Sequence, residues 1–185
     1  MALRRGFPAH AERIADEVRA ECGLRPGDAF DPFAYAAELA IPVVALSELD
    51  EVVAAHFASE DRSGRFSAMT LVDGTRKFIV HNDSHSHVRQ RSNLAHEIAH
   101  VLLGHEATPP LSESGLRQLD QEIEDEATYL GAALLVPREA CMRIARRQVP
   151  IAMAAEIYDV STALMQMRIN RTGAMRIVSN SRRSR

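Results

Sequence analysis

The chain has 185 residues, of which 46% are hydrophobic and 25% charged, and a formal net charge of -3. That balance suits a soluble globular domain and excludes global disorder, collagen-like repeats and low complexity. The length is enough to bury a core without disulfides or a structural metal. No apolar run approaches the roughly 20 residues that span a bilayer, and the opening MALRRGFPAHAER lacks the apolar stretch of a secretory signal. Two distant cysteines, Cys22 and Cys141, exclude a disulfide framework and a cysteine zinc site. A reducing, cytoplasmic compartment is therefore expected.

Charge is unevenly spread. Residues 1–137 carry 12 basic and 22 acidic side chains, a balance of -10, while residues 138–185 carry 10 basic and 3 acidic, a balance of +7. Of the 22 basic residues 21 are arginine, and there are 28 alanines, a bias that fits a GC-rich genome and makes arginine richness uninformative by itself. A basic last quarter can meet nucleic acid or an acidic partner, or can simply be a solvated helical face with a frayed tail.

In chain order, residues 9–22 read as a helix with Ile14 and Val18 on one face. Arg25-Pro26-Gly27-Asp28 is a turn. Asp31 caps a second helix that has Pro32 at its first position and runs to about Ala40. IPVVAL (41–46) is a short strand. VVAAHF, FSAMTLV and KFIVH follow as strands, with Asp73-Gly74 marking a hairpin between the last two. Residues 82–91 read as polar loop, and a helix over about 93–103 is capped by Ser92 or Asn93 and ended by Gly104. After a loop with Pro109-Pro110, a long helix covers about 116–135 and stops at Pro137. Helices at about 138–147, 150–158 and 161–171 complete the order, and SNSRRSR (179–185) reads as a basic, mobile tail.

The chemistry concentrates in His96-Glu97-Ile98-Ala99-His100. Histidines at i and i+4 lie one turn apart on one helix face, so both imidazoles can reach one ion, with Glu97 placed to act on a bound water. Leu94, Ile98, Val101 and Leu102 supply the apolar stripe. Two buried histidines and a buried glutamate with no ion would leave polar groups unsatisfied. A catalytic zinc needs a third protein ligand and an open position. The extended HExxHxxGxxH pattern fails, because Leu103 and Glu106 stand where Gly and His are needed; His105 stays as a rim candidate, or as a histidine favoured by the helix C-terminus. The remaining source is DQEIEDE (120–126), which opens a mostly apolar helix with the stripe Ile123, Ala127, Leu130 and Leu134. Glu124 and Glu126 flank that stripe at opposite edges, and helical phase does not choose between them. Glu122 lies further round and Asp125 points away.

These residues resemble the ImmA/IrrE-type zinc metallopeptidases of bacteria and phages. RQRSNLAHEIAHVLLGH is similar to the family's RqrFtlaHElgHxLLH, EDEATYLGAALLVP to ExxxNxFAAxLLMP, DVSTALMQMRINRTG to VSxxAmxxRLxxLG, and KFIVHND to the strand before the motif. The resemblance runs from about residue 10 to 178. Ser92, Thr128 and Leu130-Gly131 depart from the family's aromatic, Asn and Phe-Ala. The resemblance implies an α+β, zincin-like fold: a small, mostly antiparallel sheet packed on a helical bundle, as one domain over 1–178. It also implies a third ligand thirteen residues before the helix-ending proline, which is Glu124, with Glu126 as the alternative.

The implied activity is zinc-dependent endopeptidase. His96, His100 and Glu124 bind Zn2+, Glu97 is the catalytic base, and Tyr129, His81 or His105 donates to the oxyanion. Asp or Glu partners are expected behind the imidazoles. The implied substrate is a helix-turn-helix repressor, cleaved in a stress or mobile-element response, and the chain reads as a minimal member of the family. Asp120, Glu122 and Asp125 are expected to attract the repressor's basic face. Two other readings stay open. His81, His85 and His87 could form a second metal site, although a polar loop is the plainer reading. Residues 149–171 resemble a helix-turn-helix bearing Arg168 and Arg171, so the alternative function is a DNA-binding or antitoxin-like regulator that retains a zinc site.

Overall fold

Caps and side-chain stripes fix the elements in this computed structural model, which describes residues 3–51, 66–105 and 121–183. Helix α1 (Phe7–Glu21) buries Phe7, Ala11, Ala15 and Val18, an i, i+4 stripe. Asp31 accepts from the Phe33 amide at 3.0 Å and opens α2 (Pro32–Glu38), as the sequence predicts. Strand β1 (Val43–Ala45) leads into a 3-10 turn. Strands β2 (Ala68–Asp73) and β3 (Arg76–His81) form the expected hairpin with Gly74-Thr75 as its loop. The sheet order is β1-β3-β2, the long β2–β3 pairing antiparallel and the short β1–β3 pairing parallel. The expected strand VVAAHF lies outside the described residues.

Helix α3 (His87–Leu102) carries the HExxH stretch and packs on β2 and β3. It begins about six residues earlier than the sequence suggests. The reason is Arg91, a charged residue that is buried and donates to the Phe30 carbonyl (2.6 Å) and the Asp159 carbonyl (3.1 Å). Those bonds anchor a turn that looks like polar loop in sequence. Ser92 is consequently not a cap: it lies inside the helix and donates to the Val88 carbonyl at 2.9 Å. Asn93 is interior too.

Helix α4 (Gln121–Leu135) lies along α3, with α1 on another side. It buries Ala127, Leu130 and Leu134 as predicted, but Ile123 is exposed. Helices α5 (Arg138–Arg147), α6 (Ile151–Tyr158), α7 (Thr162–Thr172) and α8 (Ala174–Arg183) close the bundle. Residues 179–183, expected within a mobile tail, are the last turns of α8, which packs on α5 and buries Ala174 and Val178. A buried cluster ties Phe7 and Phe30 to Ile79, Ile98, Leu134 and Val178.

Helices α6 and α7 are joined through residues 159–161, with Asp159 at φ 49 in a turn position where glycine is usual. The base-reading role suggested for Arg168 is excluded by its position. Its side chain is fully buried and donates to Glu12 (2.7 Å) and the Val136 carbonyl (2.8 Å).

Helix α4 approaches α3 closely at Gly131. A Cβ there would sit 2.9 Å from the Ala95 carbonyl oxygen and 3.0 Å from the His96 nitrogen. Gly131→Ala must push the helices apart, so it is expected to cost about 1–3 kcal/mol, the usual range for overpacking, read from urea denaturation midpoints.

Candidate metal and catalytic site

The spacing of α3 and the contact at Gly131 together determine which side chains meet. His96 and His100 are one turn apart, and their Nε2 atoms lie 3.0 Å from each other. On α4, Glu124, Thr128 and Gly131 are at i, i+4 and i+7, on one helix face. Since Gly131 touches the backbone at Ala95 and His96, that face is turned towards α3. Glu124 Oε2 lies 3.1 Å from His96 Nε2, and Glu124 Oε1 lies 3.6 Å from His100 Nε2. One ligand atom from each of these three residues lies within 4.8 Å of the other two, a group that could hold a metal ion. Bonds to His100 and His96 hold the Glu124 carboxyl far below the usual carboxylate range, against the opposing effect of partial burial.

Glu126, two residues on, is turned away by helical phase. It is buried and accepts a two-pronged ion pair from Arg4, with Arg4 Nη2 to Oε2 at 2.6 Å. Asp125 does not point outward as expected: it is buried and accepts from Gln121 at 2.8 Å. Of the three acids expected to attract a basic substrate, only Glu122 is described as exposed, and Asp120 lies outside the described residues.

Glu97 is nearly fully buried, and its Oε2 accepts both the backbone N–H and the hydroxyl of Thr70 on β2, each at 2.8 Å. Both bonds fall on one oxygen, which fixes the carboxylate plane and leaves Oε1 carrying neither. No feature of the sequence singles out Thr70. It stands 27 positions from Glu97 on a different kind of element, and only the packing of α3 on β2 brings the two together.

Among the described residues, the side chains behind the imidazoles are Thr128 and His105 rather than an Asp or Glu. Thr128 Oγ1 is 3.4 Å from His96 Nδ1, and His105 Nδ1 is 3.0 Å from His100 Nδ1. The other oxyanion candidates are held elsewhere. The Tyr129 hydroxyl donates to Glu12 at 3.2 Å, and its ring meets Phe7 edge-on. His81 is buried against Phe33, and burial lowers its pKa. The second histidine cluster does not assemble: His85 meets Asn93 at 3.4 Å, and His87 meets Asp159 at 3.0 Å.

The sequence profile of one family, described as the IrrE N-terminal-like domain and classed as a peptidase family, matches residues 36–170. No curated protein matches the chain.

Glu124→Gln is expected to weaken zinc binding by ten-fold or more, the lower end of the range for damaging even a supporting group. Glu126→Gln is expected to cost less than about ten-fold on the same scale. Competition with a chromophoric chelator measures both.

Proposed function

The chain belongs to the IrrE N-terminal-like peptidase family, and from that premise we propose that it is a zinc-dependent endopeptidase whose metal ligands are His96, His100 and Glu124 and whose catalytic base is Glu97. The observation that carries the reading is the convergence of two imidazole nitrogens and one carboxylate within 4.8 Å, beside a glutamate whose carboxylate is already oriented. Two nitrogens and an oxygen are a donor set that suits zinc, and three protein ligands leave a position for water. When bound, zinc supplies a Lewis acid that acidifies that water and polarises the scissile carbonyl.

The chain's own residues do the rest. Glu97 takes the proton of the attacking water on Oε1 and passes it to the leaving amine nitrogen. Thr70 holds Oε2, so that no reorganisation is needed when the proton moves. Burial of Glu97 excludes competing water and strengthens its interaction with the reacting groups.

The proposed substrate is a helix-turn-helix repressor, cleaved in a stress or mobile-element response in the cytoplasm. Support for it is the resemblance of three ordered motifs to ImmA/IrrE-type peptidases, which cleave such repressors. No helix among the described residues is long and apolar enough to cross a membrane.

The test is incubation with purified helix-turn-helix repressors, with the products read by mass spectrometry. Glu97→Gln should abolish turnover while binding zinc as the parent does, and a chelator should stop the parent reversibly. Cleavage that survives Glu97→Gln would remove the assignment. Thr70→Val keeps the backbone bond and loses the hydroxyl bond, and is expected to lower kcat by about 10-fold or more, as removing a supporting partner does. Stopped-flow measurement with a quenched peptide reads that change.

A further inference from the structure

The end of α3 contains a device that the proposed chemistry does not use. Gly104 has φ 68, its N–H donates to the Val101 carbonyl at 3.1 Å, and the His105 N–H donates to the His100 carbonyl at 3.0 Å. This is the six-to-one reversal that ends many helices, and it folds the residue after the glycine back over the last turn. In most such ends that contact is apolar. Here it sets one imidazole against another, with ring centroids 5.1 Å apart.

We propose that His105 is a positioning residue that fixes the tautomer of His100. The inference rests on the reading of His96, His100 and Glu124 as a metal site. His100 turns Nε2 towards His96 and Glu124. To offer that nitrogen's lone pair, His100 must carry its proton on Nδ1, and a buried N–H needs an acceptor. The facing atom is His105 Nδ1, at 3.0 Å. If His105 accepts there, its own proton is on Nε2. That nitrogen faces Glu126 Oε2 at 4.0 Å, and Arg4 holds Glu126 in place. A carboxylate on that side favours the Nε2–H form by charge. Arg4, Glu126, His105 and His100 thus form a chain from the start of the protein to the site, each member fixing the next. The same geometry removes His105 as an oxyanion donor, because its N–H points towards Glu126 and its other nitrogen is engaged.

The test uses the full chain and zinc alone, with affinity from chelator competition. His105→Ala should weaken binding by about 10–100-fold, the range for losing the partner of a ligating histidine. His105→Asn places an amide oxygen near the former Nδ1 and should recover most of the loss. The cobalt-substituted protein should show altered visible bands in His105→Ala and near-parental bands in His105→Asn. A purely structural role would lower the melting temperature of the metal-free protein in both variants and leave the zinc affinity unchanged. A second measurement needs no variant: long-range 1H–15N spectra of the zinc-loaded parent should show His105 as the Nε2–H tautomer, and an Nδ1–H tautomer would overturn the proposal. A parent that binds zinc while His105→Ala binds it equally well also overturns it, with the metal site standing. A parent that binds no zinc removes the metal site itself.

Discussion

The contact between α4 and α3 at Gly131 is the constraint on which the site depends. The absence of a side chain lets the α4 backbone approach the peptide between Ala95 and His96. Two turns before that contact, the same face of α4 presents Glu124 to the two histidines; one turn before it, Thr128 reaches the back of His96. Residues half a turn away serve the opposite side. Glu126 meets Arg4, and Tyr129 meets α1 through Phe7 and Glu12. One helix thus carries both the carboxylate aimed at the two histidines and the polar groups, Glu126 and Tyr129, that fasten the N-terminal segment.

The end of α4 is held as firmly as its middle. A helix leaves its last carbonyls without internal partners. Here the Arg19 guanidinium donates to the Leu134 carbonyl and Arg168 to the Val136 carbonyl at 2.8 Å. Arg91 does similar work for the Phe30 carbonyl at 2.6 Å. Planar, permanently charged guanidinium groups suit such sites, since burial does not readily remove their proton. Burial does push the Arg19 pKa down, although its nearby acids and Tyr158 oppose it. The arginine bias of the sequence is therefore partly structural, and part of the basic last quarter faces inward rather than towards a nucleic acid.

Local regularities made much of this legible. The i, i+4 histidines, the Asp31 cap, the hairpin at Asp73-Gly74 and the stop at Pro137 each follow from a rule that acts within a few residues. The choice of Glu124 over Glu126 was different. The apolar stripe included Ile123, which the structure exposes, so the phase of α4 was ambiguous, and the offset to Pro137 in a family resemblance made the choice. Gly131 carried the missing information, because a glycine inside a buried helix marks a close approach. Thr70 and Arg4 were out of reach, since their partners lie 27 and 122 positions away. The early start of α3 was hidden because its first turns are polar and its one inward residue there is an arginine.

The central claim is that one zinc ion sits between His96, His100 and Glu124. The direct measurement is an anomalous difference map from crystals of the zinc-loaded protein, with data collected on both sides of the zinc absorption edge. The account predicts one strong peak per chain, within about 2.0–2.2 Å of an imidazole nitrogen of each histidine and of a Glu124 carboxylate oxygen. A strong peak at Glu126, or among His81, His85 and His87, with none at the three residues, would contradict it.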